Sequence, residues 1–120
     1  MTATVEPTPT TMRASVMTGV RTLQIEDRPV PRPGEHEVLV EVAAVGVCGS
    51  DVHYYRHGRI GDFVVDAPMI LGHEASGVVA EAGPAVKGWA AGDRVTFDST
   101  IYRLDDWYTR RGLYNLSDGR

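Results

Sequence analysis

The stretch "EVLVEVAAVGVCGSDVH", residues 37–53, changes character half-way along. Up to Val42 it alternates. Val38, Val40 and Val42 point one way and Glu37, Leu39 and Glu41 the other, the period-two pattern of a strand with one buried face. It then becomes apolar on both faces and is expected to enter the core. At Cys48 it passes into "CGSDVHYYRHGRIGD", residues 48–62, which is too polar for a core element. Cys48, Ser50, Asp51, His53, Tyr54, Tyr55 and His57 crowd this segment, so it reads as a site loop with one helical turn closed by Gly58.

Working outward towards the N-terminus, "MRASVMT" (12–18) and "RTLQIEDR" (21–28) keep the period of two, and "GV" between them predicts a hairpin turn. "PVPRPGEHE" (29–37) ends that hairpin. Its three prolines supply no backbone donors and force an irregular connection. Towards the C-terminus, "APMILGHEASGVVAEAG" reads as a turn and then a strand from about Ser76 to Ala82. "GDRVTFD" follows as a short last strand behind the turn "KGWAAGD". Short strands punctuated by glycine, with no long helical period, predict a mainly β fold closed in part into a barrel with short helices. The domain is expected to span residues 12–98. Residues 1–11, rich in Thr and Pro, read as a flexible leader, and 99–120, with aromatic and charged residues interleaved, as a surface lobe.

The bulk properties limit the function classes. A chain of 120 residues has room for one domain and a modest core. A formal charge of −4, with no basic run, argues against nucleic acid and anionic membrane as partners. The longest apolar runs fall far short of the ~20 residues needed to cross a bilayer. A single cysteine and a start without early positive charge or apolar run fit a reducing cytoplasm and no secretory signal.

Cys48, His73 and Glu74 are the candidate metal ligands, because zinc accepts thiolate, imidazole and carboxylate, and a catalytic zinc needs three protein ligands and an open position. Cys48 and His73 stand 25 positions apart, which puts them on different elements. Spacing alone leaves the alternative open that Cys48 is a small buried apolar side chain and His73 a solvated one. Elsewhere the structural reading is preferred: His36 solvated in a polar turn, His57 ending a short helix, Asp51 capping that helix, and Trp89 and Trp107 packing.

Several motifs agree in order and spacing. "GHEASGVVAEAGPAV", residues 72–86, resembles the signature of the zinc-containing medium-chain alcohol dehydrogenases. "GVCGSDVHYY" resembles the other ligand loop of that family, and "PMILGHE" and "GDRV" stand where the family has them. The text is most similar to the polyol branch, the sorbitol and xylitol dehydrogenases. The resemblance runs over about residues 12–120 and implies a GroES-like β-barrel catalytic domain with Cys48, His73 and Glu74 around a catalytic zinc. It further implies Ser50 and His53 as a proton relay and Tyr54 facing the substrate.

Two features of the family are missing from the text. The glycine fingerprint of a nicotinamide-binding Rossmann domain, G-x-G-x-x-G, is absent, for no two glycines stand two apart. NAD(P) binding is therefore expected of the parent enzyme only, as is turnover of a small polyol or alcohol. The structural-zinc lobe common in the family has lost its cysteines: their spacing falls on Arg103, Asp106, Thr109 and Ser117. That predicts no structural zinc, and a lobe that packs around Trp107, Tyr108, Leu113, Tyr114 and Leu116 or stays loose. The chain reads as an excised or engineered catalytic portion, inactive alone for want of its dinucleotide domain. The alternative is a GroES-like scaffold or interaction module with an empty metal site, and self-association through a bared interface is a third expectation.

Overall fold

The computed structural model describes residues 9–66 and 68–117. Most of the leader and the last three positions of the lobe lie outside these residues. The strands are β1 (Thr11–Gly19), β2 (Thr22–Pro29), β3 (Val38–Gly46), β4 (Arg59–Ile60), β5 (Phe63–Val64), β6 (Met69–Ile70), β7 (Glu74–Ala82) and β8 (Arg94–Thr96), with one helix, α1 (Gly49–His57), after β3. Two 3₁₀ turns, Thr109–Arg111 and Tyr114–Leu116, shape the lobe.

The hairpin forms as the alternation demands, one residue later at its turn. Gly19 pairs with Thr22, leaving Val20 and Arg21 as the connecting residues. Arg21 takes φ of 60°, unusual away from glycine. Its N–H donates to the carbonyl of Tyr55 at 2.7 Å, one of the last carbonyls of α1, which have no partner within the helix. The hairpin turn is thereby tied to the end of the helix that follows Cys48.

The partly closed barrel does not form. The strands make three separate antiparallel sheets ordered β2-β1-β6, β3-β7-β8 and β4-β5, and none curls back on itself. The reason lies in strand length. Closure needs ladders that pass from each strand to the next, but β4, β5 and β6 are two residues each and β8 three. The connection between β2 and β3 supplies no donors at Pro31 and Pro33, so the two long pairs, β1/β2 and β3/β7, stay in different sheets. The principal extents are 51 × 41 × 20 Å and the radius of gyration is 16.9 Å, against about 14 Å for a compact chain of this length.

The core is correspondingly small: Ala14, Val16, Met17, Ala75 and Val79 are its buried apolar side chains. Ala14 and Val16 on β1 and Ala75 and Val79 on β7 keep the period of two, and Met17, next to Val16, is buried as well. The second half of β3 was expected to enter this core, and instead Val42 and Val45 are about half exposed. A strand apolar on both faces needs cover on both, and β7 covers only its edge.

The segment after Cys48 is more ordered than one turn. α1 runs for nine residues and stops at Gly58, whose φ of 69° is the left-handed conformation that favours glycine. The N–H of Gly58 donates to the carbonyl of Tyr54 at 2.8 Å.

Candidate metal centre

The register of β3 on β7 builds the site. Gly46 lies opposite Glu74, so Cys48, two residues beyond Gly46, arrives beside His73 and Glu74 at the start of β7. The Cys48 sulfur, a His73 ring nitrogen and a Glu74 carboxylate oxygen all lie within 4.8 Å of one another. Around one tetrahedral zinc such atoms stand roughly 3.5 Å apart. Small side-chain rotations close that gap, and the thiolate, imidazole and carboxylate set suits a borderline-soft cation, so these residues fit the ion. Cys48 and His73 are half-buried and Glu74 is exposed. A Cβ at position 46 would come within 2.7 Å of Glu74 Oε2, so a larger residue there would displace that carboxylate.

Asp51 holds the loops that carry Cys48 and His73 together. Its Oδ2 accepts the Cys48 N–H at 3.0 Å and its Oδ1 accepts the Gly72 N–H at 3.2 Å. The first bond is the helix cap expected from the sequence, made from the third helical position back to the residue before the helix. The second was not foreseen. Asp51 is also 3.5 Å from His73 Nδ1 and is 8 % exposed. A carboxylate on that side favours the tautomer with the proton on Nδ1, which leaves the Nε2 lone pair turned towards a ligand. The one sequence signal for this role is an acid in the first turn of a helix directly after a candidate ligand.

The other expected residues divide. Ser50 comes close, with Oγ 3.4 Å from His73 Nε2, within reach of donating to that nitrogen. His53 lies three residues further along α1 and is exposed, and its ring neighbour is His57. Tyr54 lines an open cavity of about 580 Å³ with Asp62, Phe63, Val65 and Met69. Neither Cys48 nor His73 shares its wall.

In the lobe the four positions matched to the lost cysteines do converge. The Ser117 hydroxyl accepts the Arg103 N–H at 3.0 Å and donates to the Asp106 carboxylate. Asp106 also accepts the Thr109 N–H at 2.8 Å and the Thr109 hydroxyl at 3.1 Å. The Ser117 hydroxyl above all, then the Thr109 N–H, hold the Asp106 carboxyl below its ordinary value of 3.8. Aromatic rings meet here, Tyr102 with Tyr114 and Trp107 with Tyr108, but none of the four is buried. Trp107 is 59 % exposed, with Arg111 stacked 3.9 Å from its ring centre, whereas Ser117 is buried. Asp98 accepts the Tyr114 hydroxyl at 3.0 Å, which raises the phenol above 10.0.

Residues 34–119 match the family model described as the alcohol dehydrogenase GroES-like domain. The chain belongs to that family. Sorbitol dehydrogenase of Gallus gallus is 54% identical over 95 residues, covering 79% of this chain and 27% of that enzyme. An oxidoreductase/dehydrogenase of unknown specificity from Escherichia coli superposes with a TM-score of 0.80 at 33% identity, over 88% of this chain and 31% of the other. A cobalt- and zinc-bound thermostable alcohol dehydrogenase from Pyrobaculum aerophilum gives 0.77 at 31% identity, over 90% and 32%. This GroES-like chain thus spans less than a third of the relatives it matches. Among its described residues no helix is long and apolar enough to cross a membrane.

Proposed function

We propose that this chain is the zinc-binding catalytic portion of an NAD(P)-dependent polyol or alcohol dehydrogenase, which needs a separate dinucleotide-binding portion for turnover. The observation that carries the reading is the convergence of Cys48, His73 and Glu74 within 4.8 Å, in a chain of this family. Three donors of these types leave room for a substrate oxygen or water at a fourth position, the pattern of a catalytic rather than a structural zinc.

A zinc bound there would supply Lewis acidity, lowering the pKa of a substrate hydroxyl. The chain's own residues do the rest. Cys48 and His73 anchor the ion, and Asp51 fixes the His73 tautomer. Glu74 is the exposed donor of the three. Ser50, whose Oγ lies beside His73 Nε2, would take the substrate proton, and His53, at i+3 on α1, would pass it to solvent. Tyr54, on a cavity lined partly by apolar residues, would meet the substrate's carbon chain. Hydride acceptance belongs to the nicotinamide and its own domain. Sorbitol dehydrogenases among the relatives support a polyol as substrate class.

Metal analysis of the purified chain tests the reading. One zinc per chain, lost on Cys48→Ser, is expected. A chain that binds no zinc, or keeps it in that variant, contradicts it.

A further inference from the structure

His53 and His57 are the two histidines of α1. They stand one helical turn apart, at i and i+4, and are both exposed. Side chains so spaced share one face of a helix. Their ring centres are 5.7 Å apart with the planes tilted by 43°. Among the described residues neither imidazole takes a hydrogen bond or an ion pair.

We propose that His53 and His57 form a second, surface metal site, a two-imidazole chelate for a borderline divalent ion such as Ni²⁺, Cu²⁺ or Zn²⁺. Two imidazoles bound to one ion at 2.0–2.1 Å have ring centres roughly 5 Å apart. The observed separation is already near that value, and the rings are free to turn about their side-chain torsions without moving the backbone. Two histidines at this spacing on a rigid helix offer the second donor at high effective concentration once the first has bound.

The surroundings suit a cation. His57 is the last residue of α1 and Gly58 closes the helix, so the ion would lie beside the negative end of the helix dipole. Arg56 stands at i+3 from His53 and about 100° round the helix from His57, so its positive charge borders the site on the His53 side. Imidazole donors without thiolate favour Cu²⁺ and Ni²⁺ over Mn²⁺ or Mg²⁺. The site is separate from Cys48, His73 and Glu74, none of which lies on the exposed face of α1. On the reading of His53 as a proton carrier, an ion here occupies that carrier, so the site would be inhibitory. The binding itself stands whether or not that reading does.

Equilibrium dialysis of the metal-free chain against Ni²⁺ tests the proposal. The unaltered chain should bind one more equivalent than His57→Gln, whose remaining affinity at His53 falls about tenfold or more. Cys48→Ser should keep that equivalent, and His36→Gln should leave it unchanged. Equal binding by the unaltered chain and His57→Gln overturns the proposal. A second readout needs no variant: substoichiometric Cu²⁺ should broaden the imidazole proton resonances of His53 and His57 together and before those of His36. Broadening of His36 first, or of His53 without His57, would overturn it.

Discussion

Asp51 ties the Cys48 loop to the His73 loop through two backbone N–H groups, and its side chain faces His73 Nδ1. A neutral amide of the same shape keeps part of the bonding but loses the charge that orients the imidazole. Asp51→Asn is therefore expected to keep the far-ultraviolet circular dichroism of the fold while weakening zinc binding by about 10–100-fold, the usual range for an outer partner of a ligating histidine. Unchanged zinc affinity would remove Asp51 from the site. Cys48, His73 and Glu74 are donor types that zinc accepts and could be named from the sequence and its family resemblance, and the fold brings them together. The bond from Gly72 to Asp51 was not legible, since it joins residues 21 positions apart and depends on the register of β3 on β7.

At the scale of elements, the lobe shows where residue type misleads. Its aromatic residues suggested a packed cluster, yet the buried centre is the hydroxyl of Ser117, bonded to Asp106 and to the Arg103 N–H. A hydroxyl between a carboxylate and a backbone donor leaves no periodic trace for a sequence reading to find. Because the Asp106 carboxyl titrates below 3.8 in the fold, its contribution is fully present above the unfolded carboxylate value. It is lost as the pH falls through the lowered folded value. Emission from Trp107, next to Asp106, should be constant at neutral pH and change below about pH 4. Asp106→Asn should remove that acid step and leave the lobe looser at neutral pH. A step well above pH 4, or one untouched by the substitution, would contradict the account. The strands fared better: β1, β2, β3 and β7 follow the alternation in the sequence, although only β1 and β7 supply buried core side chains. Their closure into a barrel did not follow, because the two-residue strands β4, β5 and β6 cannot carry a ladder from one long pair to the other.

At the scale of the whole molecule, five buried apolar side chains support a flat body 20 Å thick, and many large apolar residues face outward. Val47, Phe63, Ile101 and Leu104 are each at least three-quarters exposed. Apolar surface of this extent associates in water, so light scattering over a concentration series should show an apparent mass that rises with concentration. A constant monomer mass would contradict this. The same bare surface fits a chain that spans less than a third of its dehydrogenase relatives. The central claim, that the loop entered at Cys48 and the start of β7 hold one zinc between them, is tested most directly by X-ray absorption at the zinc edge on the zinc-loaded chain. The account predicts one sulfur at about 2.3 Å and two to three nitrogen or oxygen neighbours at about 2.0–2.2 Å. A shell of nitrogen and oxygen alone, with no sulfur, would contradict it.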